Sequence, residues 1–279
     1  MKHIQTVGIA DLLRWIMLVI VIVFIASNGV YRETHPESIA VKGDIIPVVL
    51  GDIGLRLIET GVIDLEAFEA LYVSRGGMPE DLLLRAKNDE LSISTKNAGF
   101  LLNVFWALGL GNKNDVLENG PIQDTRYGDP GSFASVGGWT LAHGKGMDHY
   151  SQHVFMTLTP DQQERVESVS AHIYRPCCNN STYFPDCNHG MAMLGLLELM
   201  ASQGASEEQM YETALVVHSY WFPDVYATIS EYVESTGTPW DEVDPREVLG
   251  IQYSSARGFE NVITMLPAQK NTGSGGCSV

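Results

Sequence analysis

Positive charge is what this sequence has least of. Seventeen Lys and Arg stand against 34 Asp and Glu, giving a formal net charge of −17 at pH 7. Phosphate backbones are held by basic surfaces, so this balance excludes a nucleic-acid partner. It also disfavours adhesion to anionic lipid headgroups. Signature loops are missing as well. No Gly-x-Gly-x-x-Gly follows a strand and no phosphate loop occurs, which removes the common nucleotide-binding classes. Neither a Gly-x-Ser-x-Gly elbow nor a haem-attaching Cys-x-x-Cys-His is found. Alternating strand patterns are few. Cysteine is rare, at four in 279 residues. What remains is a globular composition, 45% hydrophobic and 18% charged, long enough for one large or two small domains.

One apolar run is uninterrupted. Trp15 to Ala26 is a string of aliphatic and aromatic residues preceded by Lys2, His3 and Arg14. It is shorter than the roughly 20 residues that span a bilayer and within the roughly 7–15 of a signal-peptide core. Leu12, Leu13, Val30 and Tyr31 lengthen it to a marginal span if Arg14 snorkels, and Ser27-Asn28-Gly29 offers a cleavage site. The expectation is a signal or transmembrane segment over 1–31, a polar linker over 32–45, a helical domain over 46–266 and a flexible tail over 267–279. The body would then lie on the extracytoplasmic side, tethered to the membrane, or secreted if the segment is cleaved.

The body reads as all-α, with seven to nine helices. Apolar residues recur at helical spacing over Ile46–Thr60 and Asp64–Ser74, with Gly61 and Gly76-Gly77 as stops. Phe100 to Leu110 is nearly all apolar and predicts a central core helix. Residues 111–139 show no period and predict a long irregular loop of the kind that carries function. Thr159-Pro160-Asp161-Gln162 is a capping box opening a helix to about Tyr174, and Ser206 to Gln209 opens another to about Tyr220. Between them lies an apolar helix over Met191–Gln203. Met191, Met193, Met200 and Met210 sit at helical spacing and are expected to fill the core.

The rare cysteines are concentrated. Cys177, Cys178 and Cys187 fall in one short stretch with His189, and Cys277 lies in the Gly/Ser tail. Cys187 and His189 are expected at the mouth of the Met191–Gln203 helix, whose positive end favours a thiolate. Three uses of this cluster compete. It can be a disulfide that staples a loop in an oxidising compartment. It can be a dithiol that exchanges with a thiol protein partner, with Cys187 as nucleophile, Cys178 as resolving thiol and His189 tuning the thiolate. It can hold zinc or copper through Cys177, Cys178, Cys187 and His189. Cys277, on a tether whose typical reach is on the order of 15–20 Å, would serve as a mobile accessory thiol.

Arg175-Pro-Cys-Cys-Asn-Asn-Ser181, followed by an apolar helix and then Ala201-Ser-Gln-Gly-Ala-Ser-Glu-Glu-Gln-Met210, resembles the motif region of the CcmH-type cytochrome c maturation thiol oxidoreductases. Those proteins are membrane-anchored. The resemblance implies thiol–disulfide exchange and matches Cys178 to the family's second motif cysteine. Adjacent cysteines replace the family's Cys-x-x-Cys here, and Cys187 and His189 have no counterpart in it. Gly275-Gly276-Cys277 is similar to the arm of the SoxY sulfur carrier, which implies a cargo-bearing role for Cys277.

A second stretch carries histidines. His149 and His153 are four apart, which on a helix places both rings on one face, in reach of one metal ion. His143 or Asp148 would add a third ligand. A combined site would bring this stretch against Cys187 and His189. His172, five residues before Cys177, is a further candidate.

Overall fold

The stretch that reads as one helix from Ile46 divides at Asp52. Ile45, Ile46, Val48 and Val49 are β-branched, and burial alternates along Asp44–Gly51, with Ile46, Val48 and Leu50 turned inward. That is the period of a strand, not a helix. This strand, β1 (Asp44–Gly51), pairs antiparallel with β2 (Lys87–Ile93). The ladder is irregular between Ile46 and Val49, where Pro47 has no N–H to donate. The helix of this region is shorter than expected: α1 covers only Ile53–Glu59. Asp44 and Ile45 accordingly belong to the strand and not to a linker.

The computed structural model describes residues 43–73, 75 and 83–266. The expected membrane or signal segment (1–31), most of the expected linker (32–45) and the tail with Cys277 lie outside the described residues. Among the described residues, no helix is long and apolar enough to cross a membrane. The described body is mostly helical with a single two-stranded sheet, so all-α is corrected to that extent.

Seven further helices of at least seven residues follow α1 among the described residues: α2 (Leu65–Val73), α3 (Ala98–Gly111), α4 (Pro160–Ser170), α5 (Asn188–Ser202), α6 (Glu207–Trp221), α7 (Pro223–Ser235) and α8 (Ala256–Met265). Helix α2 is capped by Asp64, whose Oδ1 accepts from the amides of Glu66 and Ala67. Both capping boxes form as their residues require, at Thr159/Gln162 and Ser206/Gln209. Helix α4 stops at Ser170, four residues before the expected end.

Helices α3 and α5 make the centre. Nearly every residue of each is buried, which is why neither shows an amphipathic stripe. They cross at a pair of glycines. A Cβ on Gly109 would lie 2.1 Å from the Met191 carbonyl oxygen, and one on Gly195 would lie 2.4 Å from that of Phe105. Only bare backbone fits this crossing. Met191, Met193, Met200 and Met210 are all fully buried, as their spacing requires.

The region 111–139 contains no long element, yet it is not featureless. Asn114 caps a short helix over Asp115–Asn119, and Asp124 and Asp129 cap two of three 3-10 turns. A further helical turn, Ala134–Gly137, sits near α3, where the Trp106 indole donates to the Ser135 carbonyl at 2.6 Å. Asp, Asn and Pro thus serve local capping, and Ile122, Val136 and Trp139 are buried.

Candidate functional site

After α4 the chain turns back on itself in a small hairpin. Tyr174 and Ser181 form an antiparallel bridge, and the Thr182 amide donates to the Ile173 carbonyl at 2.8 Å. Cys177 and Cys178 ride on its tip. The tip is pinned from the far end of the chain: the Ala256 amide donates to the Cys178 carbonyl at 2.9 Å and the Arg257 amide to Asn179 Oδ1 at 3.0 Å. Helix α8 thereby fixes where the two thiols stand.

Cys187 arrives from the other side as the N-cap of α5, whose first residue, Asn188, lies three positions before the start expected from sequence. Its Sγ accepts from the Gly190 amide at 3.4 Å. The first amides of a helix have no partners within it, so a negative sulfur is favoured at this position. The three sulfurs meet: Cys177 to Cys187 is 3.6 Å, Cys177 to Cys178 is 4.0 Å and Cys178 to Cys187 is 4.0 Å. No disulfide joins these three sulfurs, and all three residues are partly buried. Ligand atoms of Cys177, Cys187 and His189 lie within 4.8 Å of one another, and those of Cys178, Asp186 and Cys187 form a second such group.

Arg175 lies beneath this triangle and is fully buried. Its guanidinium donates to Asp186 Oδ1 at 2.5 Å, to the Asn180 carbonyl at 2.9 Å and to the Phe184 carbonyl at 3.3 Å. Asn180 Nδ2 donates to the other oxygen of Asp186 at 2.7 Å. Room for the guanidinium is made by Gly190, where a Cβ would come within 2.8 Å of Arg175 Cζ. Hydrogen bonds from Cys177 and Cys178 hold the Cys187 thiol well below its ordinary range, and the Arg175 charge and a hydrogen bond from His189 add to this against the opposing effect of burial. At Cys178, the hydrogen bond from Cys177 works downward. Its own donation to Cys187 and its burial outweigh that and push the thiol up. Cys187 is therefore the sulfur on which negative charge is most favoured, with two thiols beside it and a buried cation below.

His189 is buried, its ring packed on Phe222 (centroids 4.4 Å apart) and Trp221 (5.9 Å). A histidine not expected from the sequence shares those walls: His218 of α6, fully buried, lies 5.6 Å from Phe222 and 5.9 Å from Trp221. The sequence assigned no side-chain role to Arg175, Gly190 or His218. The signal for the first was its place directly before Pro176-Cys177-Cys178. For His218 it was a lone histidine on an otherwise apolar helix face.

The histidine stretch is built differently. The helix there is a single turn, Gly146–His149, followed by Ser151 at φ +55°, so His153 is not on a shared helical face. The chain reversal still brings the rings together, stacked with His149 Nδ1 3.1 Å from His153 Nε2. His149 Nε2 meets the His143 carbonyl oxygen at 2.8 Å. The exposed His143 ring turns instead to Asp64, at 3.2 Å. Asp148 is spent on capping its own turn, accepting from the Lys145 amide at 2.9 Å. Two imidazoles converge, without a third donor among the described residues. None of the contacts of these three histidines reaches the sulfur centre. His172 is exposed and bonded to the Ser168 carbonyl and Arg246.

Comparison with known proteins finds no family model, no curated protein and no solved structure that matches this chain.

Proposed function

We propose that this protein binds one thiophilic metal ion, zinc or copper, on Cys177, Cys178 and Cys187 with His189 as nitrogen donor, and that it carries or senses that ion. The observation behind this reading is the sulfur triangle. Two sulfurs each about 2.3 Å from a tetrahedral zinc stand about 3.8 Å apart, and the three separations here are 3.6, 4.0 and 4.0 Å. A redox dithiol needs two sulfurs in contact, whereas a third at the same distance serves coordination. Helix dipole and Arg175 both offset the charge of a thiolate set. The partly exposed sulfurs leave a way in and out for the ion.

A second reading keeps one specific support. Cys187 is the stabilised thiolate, and Cys177 lies 3.6 Å from it. That pair suits thiol–disulfide exchange with a thiol partner, with Cys178 or Cys277 resolving. In either case the apolar run Trp15–Ala26 supports a membrane-tethered, extracytoplasmic setting.

One experiment separates the readings: intact-mass and elemental analysis of native full-length protein, with thiol counting before and after mild reduction. One zinc or copper per chain, released by a thiol-directed reagent, is expected. No metal and one readily reduced bridge would transfer the conclusion to exchange. A bridge that resists mild reduction, again without metal, would leave a structural staple.

A further inference from the structure

Resting on the metal reading, we propose that His218 is a positioning residue of this centre: once the ion is bound, its Nε2 lone pair takes the second ring N–H of His189 and so holds His189 toward the ion.

The protonation of His218 follows from a chain of buried hydrogen bonds. The Ser254 hydroxyl donates to the Val248 carbonyl at 2.7 Å, so its oxygen is left to accept from the Tyr226 hydroxyl at 2.7 Å. With the tyrosine proton used, the Tyr226 oxygen accepts from His218 Nδ1 at 3.0 Å. His218 Nε2 therefore carries the lone pair, and it has no hydrogen-bond partner among the described atoms. Ser254, Tyr226 and His218 are all fully buried.

A chain of three groups that orients a ring and leaves its inner nitrogen without a donor is a costly way to fill a core. It is what a metal-binding histidine needs behind it, because such a ligand donates its other N–H to a fixed acceptor. The location agrees. His189 and His218 pack on the same two rings, Trp221 and Phe222.

The test uses full-length protein and cobalt(II) alone as probe. Thiolate ligation is read from visible absorption, affinity from competition with a chelator, and the His189 N–H from its paramagnetically shifted, slowly exchanging proton resonance, assigned with His189→Gln. Wild type and His218→Gln, whose amide oxygen still accepts, should keep the resonance. His218→Phe should lose it and bind cobalt about 10- to 100-fold more weakly. Should His218→Phe fail to fold, Tyr226→Phe frees the tautomer and should speed exchange of the same proton. A folded His218→Phe, or Tyr226→Phe in its place, with the resonance and affinity of wild type overturns this proposal alone. Wild type that binds no cobalt overturns it together with the metal reading beneath it.

Discussion

The sulfur centre and the histidine stretch both gather metal-ligating residues within a short stretch of sequence, and the fold uses them in opposite ways. Around His149 and His153 the nitrogens answer one another and a backbone carbonyl, at 3.1 and 2.8 Å. At the sulfur centre, groups from a hairpin tip, a helix mouth and a buried Arg175 converge on three thiols that hold no disulfide. Donor residues near one another are common. A site needs donors that converge from separate elements and are held there by further groups of the fold.

The comparison can be broken most severely at Arg175. Arg175→Met leaves Asp186 without its buried partner and Cys187 without a cation, and should cost roughly 3–5 kcal/mol in chemical denaturation. Alkylation of Cys187 should then need a higher pH. Stability and reactivity like those of wild type would mean that the guanidinium is only filling space. Next in size, Cys187→Ser should weaken metal binding by more than about 100-fold, measured by chelator competition. Equal affinity would move the centre elsewhere.

Glu198 lies between the two regions, on α5, accepting from Asn112 Nδ2 at 2.7 Å, while Asn112 Oδ1 accepts from the Phe155 and Met156 amides beside His153. Burial raises its pKa well above the ordinary carboxyl value, with the Asn112 hydrogen bond opposing. The folded protein therefore holds a proton that the unfolded chain has released. Stability from this group is full below the unfolded pKa and is lost as pH rises through the folded one, by at most about 1.4 kcal/mol per pH unit. Glu198→Gln should flatten the pH dependence of the urea midpoint above about pH 4.5; an unchanged slope would place the charge elsewhere. The smallest effect is expected at the histidines. His153→Ala should leave metal stoichiometry and affinity unchanged, and a loss there comparable to that of Cys187→Ser would reverse the contrast drawn above.

Much of the helical frame is legible in the sequence. Thr159/Gln162 and Ser206/Gln209 cap helices because their side chains satisfy amides within three residues, a local bond that needs no tertiary partner. The strand at Asp44–Gly51 was not legible. A short apolar run has no decisive period, and pairing with β2 more than thirty residues away settles it. The sulfur cluster could be read from its density, but not the parts of Arg175 or His218, whose partners come from separate elements.

What the chain determines alone are properties carried by neighbours in sequence: its acidity, its caps, its turns and the clustering of Cys177, Cys178, Cys187 and His189. Which of those donors face one another was decided by folding. The crossing of Gly109 with Gly195 sets α5, α5 sets Cys187 and His189, and α8 pins the hairpin tip. Convergence of groups from separate elements depends on packing at long range, and no local spacing encodes it.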